Sequence, residues 1–274
     1  MTMAKIKTFA QKLIPWRIWV QISFLAVWLD PLALRIHSIS ACVFNCYACP
    51  LAIFACPIGV LHQFAALHII PFVTIGILMG TGALLGGFIC GWVCPIGLLQ
   101  DLFLRIPIRK YTIPGWVSRF RYVTLFGFVI LIPFLFGTGH FLAICQVCPV
   151  GALESSLPRK VASPLINGES IVWTGALVWK MSLLGVFLIT MLLTHRLWCR
   201  ICPLGLIFGW FNRFSAVFLR FDPATCTSCR LCHKLCDLGI KPESNPVSSD
   251  CIRCLECTRC HPQSLSVGNV FTGK

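Results

Sequence analysis

The sequence predicts an all-α membrane protein in which four transmembrane helices precede a small cysteine-rich domain. Of the 274 residues, 57% are hydrophobic and 12% are charged, about half the charged fraction of an ordinary soluble domain. Four apolar stretches approach or exceed the roughly 20 residues that cross a bilayer core. The 18 cysteines gather at the ends of these stretches and in a polar tail.

The predicted spans are residues 16–34, 64–89, 122–144 and 175–197. No small-residue cleavage site follows the first, so we interpret it as a retained span and not as a signal peptide. Basic residues gather before span 1, between spans 2 and 3, and after span 4. By the positive-inside rule this pattern puts both termini in the cytoplasm of a bacterium or archaeon, with the chain in the cytoplasmic membrane. The net charge of +14 therefore reflects topology, and we predict no nucleic-acid partner.

The composition divides the chain into a membrane domain, residues 1–220, and a cytoplasmic domain, residues 221–274. The tail contains C-x2-C-x2-C-x3-C at 226–236 and C-x2-C-x2-C-x2-C at 251–260. The first is the spacing of bacterial ferredoxins, in which the fourth cysteine of each run binds the other cluster. We therefore predict a ferredoxin-like domain with two [4Fe–4S] clusters. Their ligands would be Cys226, Cys229, Cys232 and Cys260 for one, and Cys251, Cys254, Cys257 and Cys236 for the other.

Two other metal sites compete with this prediction for the tail. Residues 229–233 and 257–261 match C-x-x-C-H, the attachment motif of c-type haem. Haem would leave four tail cysteines without a role and is normally attached outside the cytoplasm. Zinc also binds C-x2-C pairs, but the close spacing of three cysteines in each run favours iron–sulfur clusters.

A C-P-aliphatic-G motif occurs four times in the membrane domain, and each copy has another cysteine upstream. The copies begin at Cys56, Cys94, Cys148 and Cys202, and the upstream cysteines are Cys49, Cys90, Cys145 and Cys199. The second, third and fourth copies are equally spaced, which indicates an internal repeat.

The chemistry of helix starts explains the motif. Proline suits the first helical position, so the cysteine before it becomes the cap, beside free N–H groups and the positive end of the helix dipole. That environment favours the thiolate, which is the form that binds metal. The motifs therefore predict short re-entrant half-helices whose cap cysteines bind clusters. A helix cap without metal is the alternative.

Topology sorts these cysteines into two sets, each predicted to hold one further cluster. The inner set is Cys90, Cys94, Cys199 and Cys202, and the outer set is Cys49, Cys56, Cys145 and Cys148. Cys42 and Cys46 could replace an outer ligand or form a disulfide. Residues 42–49 also match the radical-SAM triad, which we interpret as coincidence because no soluble barrel domain follows.

The chain resembles the NapH-type family of four-span, membrane-bound ferredoxin-type quinol dehydrogenases. The resemblance rests on CGWVCP at 90–95, on CRICP at 199–203 with the segment that follows, and on the cysteine-rich tail. It implies quinol oxidation and electron delivery to a periplasmic redox chain. The chain departs from the family pattern in two ways. Its second inner pair, Cys199 and Cys202, has two residues between the cysteines where the family motif has three, and its outer cysteines are not part of the usual pattern.

We therefore predict transmembrane electron transfer through iron–sulfur clusters, linking a quinol pool or a cytoplasmic donor to a periplasmic cytochrome or iron–sulfur protein within a larger redox complex. The alternatives are a quinol dehydrogenase subunit that binds quinone and a protein that assembles or handles metal clusters. No general base, nucleophile or phosphate-binding loop is evident, so no catalytic residue is predicted. Asp101 and Glu154, each a few residues after a motif, could receive quinol protons, but we interpret them as solvated interfacial carboxylates.

Overall fold

The computed structural model is mostly helical. It describes residues 12–29, 56–153, 156–157, 168, 170, 172–260 and 264–270. The predicted ligand Cys49, together with Cys42, Cys46 and Glu154, lies outside the described residues.

The described elements comprise twelve helices and two strands. In chain order they are α1 (Arg17–Leu29), α2 (Pro57–Ala66), α3 (Phe72–Leu85), α4 (Phe88–Trp92), α5 (Pro95–Leu104), α6 (Gly115–Phe136), α7 (Ile144–Val147), α8 (Pro149–Gly151), α9 (Gly175–Leu193), α10 (Leu197–Ile201), α11 (Pro203–Phe211), β1 (Val217–Phe221), α12 (Leu231–Lys234) and β2 (Leu265–Asn269). Short 3-10 turns precede α1 at Ile14–Trp16 and follow α12 at Glu256–Arg259.

Two of the described helices, α6 and α9, are long and apolar enough to cross a membrane. Each presents large apolar side chains outward: Leu135 and Phe136 on α6, and Val186 and Ile189 on α9, are all more than half exposed. Exposing this much apolar surface is unfavourable in water and favourable in lipid. The helices are therefore those of a membrane protein.

The predicted second span, residues 64–89, is not one continuous helix. Helix α2 ends at Ala66, and the chain turns through His68, whose φ is 56°. Pro71 then caps α3, which ends at Leu85 after 14 residues. Such a helix is about 21 Å long, shorter than the roughly 30 Å hydrocarbon core. The helix of this predicted span is therefore interrupted, and apolarity alone does not reveal such a break.

The tail contains a small antiparallel sheet, so the chain is not purely α-helical. Strand β1 pairs with β2 in a register that joins Val217 to Asn269 and Phe221 to Leu265. Strand β1 runs across the predicted boundary at residue 220. The sheet thus connects the end of the membrane part to the end of the tail.

The hydrophobic core of the tail extends into the membrane part. Cys232, Leu255 and Cys257 of the tail are buried in one cluster with Ile14 and Trp92. Because burial of apolar surface drives such packing, the tail is held against the segments of the membrane part that carry Ile14 and Trp92.

Candidate iron–sulfur centres

Each C-P motif begins a helix, as predicted. Helices α2, α5, α8 and α11 start at the motif prolines, and the preceding cysteine occupies the N-cap position. Steric contact with proline holds the preceding residue in an extended conformation. Accordingly Cys94, Cys148 and Cys202 have nearly identical ψ angles of 120°, 119° and 123°. Cys56 differs, with φ −146° and ψ 82°, and its sulfur accepts a 3.3 Å hydrogen bond from the Gly59 amide.

The motif glycines allow the upstream cysteine to approach the new helix. A Cβ atom on the glycine of the second, third or fourth motif would lie 3.3, 3.9 or 3.5 Å from the carbonyl oxygen of the upstream cysteine. The pairs are Gly97 with Cys90, Gly151 with Cys145, and Gly205 with Cys199. The same contact in three copies confirms that the repeat is structural as well as sequential.

The structure brings together the four cysteines of the predicted inner set. Cys90 and Cys94 lie near α4 and α5, and Cys199 and Cys202 near α10 and α11, yet the four thiols are close enough for each to interact electrostatically with others of the set. The Cys199 Sγ atom also lies 3.0 Å from Oε1 of the buried Gln100. The two halves of the repeat therefore contribute two thiols each to one inner site.

Three cysteines of the predicted outer set are also neighbours. Cys148 interacts electrostatically with Cys56 and with Cys145. The fourth predicted ligand, Cys49, is outside the described residues, so its place in the set stays a prediction.

The inner and outer sets border the same hydrophobic cluster. Cys145 is a buried member of this cluster, and Cys56 and Cys90 pack against it. Its buried side chains include Val129 of α6 and Leu206 of α11. One cysteine of the inner set and two of the outer set thus pack at one shared core.

The tail cysteines lie in two groups, and each group contains cysteines of both runs. In the distal set, the Sγ atoms of Cys229 and Cys260 are 3.2 Å apart. Cys260 also interacts with Cys226, and Cys232 interacts with Cys260. In the proximal set, Cys257 interacts with Cys254, Cys251 and Cys236. Each run therefore sends its fourth cysteine to the other run.

The chemistry of the donors suits an iron–sulfur cluster. Burial raises the pKa of Cys232 to about 12, and burial with the neighbouring Cys254 and Cys236 raises the pKa of Cys251 to about 12. Thiolates this close repel one another unless a positive centre binds them. Within the described ranges no three candidate ligands surround a single metal-ion position. In an iron–sulfur cluster each thiolate binds a different iron, so a group of four neighbouring thiols is the donor set that a cluster needs.

Two glycines let the proximal tail set approach the inner set closely: Gly87, which is the N-cap of α4, and Gly91, which lies within α4. A Cβ atom on Gly87 would lie less than 3.0 Å from the carbonyl oxygen of Cys251, and one on Gly91 would lie equally close to that of Ile252. The next residue, Trp92, donates a 3.1 Å hydrogen bond from Nε1 to the Arg253 carbonyl oxygen. The segment carrying the second cysteine run therefore lies directly on the helix that carries Cys90.

Polar side chains that the sequence pattern does not single out fix this segment in place. The Arg253 guanidinium is buried and donates to Ser215 Oγ and to the carbonyl oxygens of Leu85 and Asn212. The Asn212 side chain in turn donates a 2.7 Å hydrogen bond to the Cys251 carbonyl oxygen. The only sequence signal was a polar residue at the end of an apolar run, which does not identify its partner.

Arginines that the charge pattern assigned to membrane topology also bind the tail. Arg196 forms ion pairs with Asp101 and Asp237, and Arg17 forms a second pair with Asp101. The interpretation of Asp101 as a solvated carboxylate was therefore wrong, because two buried arginines neutralise it. Arg196 also interacts electrostatically with Cys199 of the inner set and Cys254 of the proximal set. It thus lies between the two sets.

A family model described as a 4Fe-4S binding domain matches the chain in two stretches, residues 67–114 and 176–221. Each stretch contains one inner cysteine pair. This agrees with the internal repeat and shows that the match covers the membrane part and not the cysteine runs of the tail.

The chain is also similar to several curated proteins. An uncharacterized protein of Methanocaldococcus jannaschii is 29% identical over 69% of this chain and 74% of its own length. Ferredoxin-type protein NapH of Haemophilus influenzae is 31% identical over 61% of this chain and 57% of its own length. Methylamine utilization ferredoxin-type protein MauN of Methylobacillus flagellatus is 29% identical over 58% of this chain and 52% of its own length. The chain thus spans little more than half the length of NapH and MauN.

No solved structure matches the chain. The relatives and the domain match confirm the resemblance stated from the motifs: the chain is similar to ferredoxin-type proteins that include NapH and MauN, and two of its stretches match a 4Fe-4S binding domain.

Proposed function

We propose that the chain transfers electrons across the membrane through [4Fe–4S] clusters, linking a quinol pool or a cytoplasmic donor to a periplasmic redox partner. One observation carries the proposal: the thiol sets follow one another in space. The distal and proximal sets share the tail core, the proximal set lies on the helix of the inner set, and the inner and outer sets border one core.

The ligands in this proposal are the cysteines of the four sets. The distal and proximal tail sets and the inner set would each hold one cluster, and Cys56, Cys145 and Cys148 would hold the outer cluster with Cys49. When bound, such clusters supply one-electron redox chemistry. The surrounding protein provides thiolates, keeps the sites apolar and sets the spacing between them.

We further propose that the chain crosses the membrane four times with both termini in the cytoplasm. The basic residues support this orientation, and so does the tail, which binds to the buried Arg196 and Arg121 at the inner ends of α9 and α6. The outer set would then meet a periplasmic cytochrome or iron–sulfur protein, as part of a larger redox complex.

The orientation predicts the outcome of a reporter fusion. A reporter that is active only in the cytoplasm should be active when fused after Lys274, and one active only in the periplasm should be silent. Activity of the periplasmic reporter alone would contradict the orientation and would again favour haem c in the tail.

The proposal also predicts the iron content. The purified full chain should contain acid-labile sulfide and the iron of four [4Fe–4S] clusters. Replacing Cys229 with alanine should remove one cluster, because this residue is a ligand of the distal set. The remaining clusters should still be reducible, as measured by electron paramagnetic resonance. Covalently bound haem in the tail would contradict the ferredoxin-like assignment. A chain that binds iron only transiently would instead favour a role in cluster assembly.

A groove in the membrane part supports the second candidate, a quinol dehydrogenase. The groove has a volume of about 240 Å³ and an almost wholly apolar lining. Val147 and Pro149 line it beside Cys148, and Trp198 and Ile201 line it beside the inner cysteines. Sequence neighbours of both sets therefore line a groove whose apolar surface suits an apolar ring. Reduction of the clusters by added quinol, lost when Phe187 of the groove is replaced with aspartate, would support this candidate.

A further inference from the structure

The distal set of the tail reaches the protein surface. Cys229 is exposed, and the residues on either side of it, Ser228 and Arg230, are exposed too. The Sγ atom of Cys229 lies 3.2 Å from that of Cys260. The proximal set, by contrast, faces the membrane part. The distal set is therefore the one that a soluble molecule can approach.

Exposed basic side chains surround this edge. Arg230 follows Cys229, Lys234 ends the short helix α12, and Arg259 precedes Cys260. Helix α12 packs against the turn Glu256–Arg259, which places these side chains around one edge. Arg259 is paired with Glu256 at 2.8 Å. Arg230 and Lys234 form no salt bridge with any other residue that the structure describes.

The nearby carboxylates have other partners than Arg230 and Lys234. The Oε2 atom of Glu243 lies 3.4 Å from the Sγ atom of the buried Cys232. Glu256 binds Arg259 and also approaches Arg17 of the membrane part. One exposed apolar side chain, Leu231, lies between the basic ones at 41% exposure. A basic rim around a small apolar centre is the pattern of a surface that binds an acidic protein.

We propose that Arg230, Lys234, Arg259 and Leu231 form a docking surface for a small acidic ferredoxin that exchanges electrons with the tail. The inference deepens the proposed electron-transfer function and rests on it. One electron passes between the two proteins, so that one is oxidised as the other is reduced, and no bond forms or breaks. Opposite charges on the two faces accelerate the encounter and orient it, while the absence of a tight apolar interface lets the carrier leave.

The experiment measures binding of an acidic two-cluster ferredoxin, kept oxidised, to the purified full chain in detergent. The double variant Arg230→Glu/Lys234→Glu should weaken binding by about tenfold or more, and raising the salt to about 0.3 M should weaken binding to the unmodified chain, because exposed charges are screened. Lys241→Glu is the control, since Lys241 is also an exposed tail lysine, and its neighbours Ile240 and Pro242 line a cavity with cysteines of the proximal set. It should bind within about twofold of the unmodified chain, because surface charges act mainly within a Debye length.

Salt-independent binding, no binding to the unmodified chain, or an equal loss in the Lys241→Glu control would each overturn the docking surface. Unchanged iron content in every variant shows that the tail is still folded. Because binding is measured with an oxidised carrier, it does not depend on electron flow. If the carrier binds as predicted but no electron reaches the outer side, the proposed function fails while the docking surface stands.

Discussion

Replacing either Cys94 or Cys148 with serine is expected to remove one cluster and to stop electron flow across the membrane. Cys94 caps α5 in the inner set and Cys148 caps α8 in the outer set. The two faces of a bilayer core lie roughly 30 Å apart, too far for one efficient transfer. Electrons therefore need both sites, and the loss of either interrupts the route.

Two measurements check this prediction. Iron and acid-labile sulfide per chain should fall by the content of one cluster in each variant, and reduction of an acceptor on the outer side should fall to background. The tail clusters should remain reducible from the cytoplasmic side, which shows that the chain is folded. If both variants keep the iron content of the unmodified chain, the C-P motifs only cap helices.

Replacing Gly91 with alanine is expected to separate the tail from the inner set. The new Cβ atom would lie less than 3.0 Å from the Ile252 carbonyl oxygen, a distance that backbone atoms cannot accommodate without moving. Overpacking of this kind costs about 1–3 kcal/mol. The segment holding the proximal set should therefore shift, and electron transfer from the tail to the inner set should slow while all clusters remain bound.

Gly80→Ala is the matched control for this variant. Gly80 lies in the neighbouring helix α3, and a Cβ atom added there would meet no neighbouring atom within 4 Å. Alanine is also the better helix former. Stopped-flow reduction of the clusters and limited proteolysis of the tail should distinguish the two variants. Equal transfer rates and equal protease resistance in both would show that the close contact at Gly91 does not position the tail.

The sequence predicted those features of the site that depend on local chemistry. Proline determines the first turn of a helix and the conformation of the residue before it, so the cap positions of Cys94, Cys148 and Cys202 follow from the motif alone. The cross-pairing of the tail runs follows from the ferredoxin spacing. The repeat also predicted that its copies begin helices in the same way, and three of the four have nearly the same cap geometry.

Features that depend on distant partners could not be predicted in this way. Arg196 and Arg253 count as positive charges in the sequence. Only the fold shows that Arg196 is buried against Asp101, and that Arg253 is buried against Ser215 and Asn212. The break in the second span depends on the His68 turn, inside an otherwise apolar segment. The pairing of β1 with β2 joins segments that are far apart in the sequence, and sequence alternation does not specify such a partner.

The most direct test of the central claim is electron transfer through proteoliposomes that contain the full chain and enclose a membrane-impermeant oxidant. Dithionite added outside reduces exposed clusters but does not cross the bilayer. We predict that the enclosed oxidant is reduced in vesicles carrying the unmodified chain and stays oxidised in vesicles carrying Cys148→Ser. If the clusters are present and reduced by dithionite, yet the enclosed oxidant remains oxidised with the unmodified chain, the chain does not conduct electrons across the membrane.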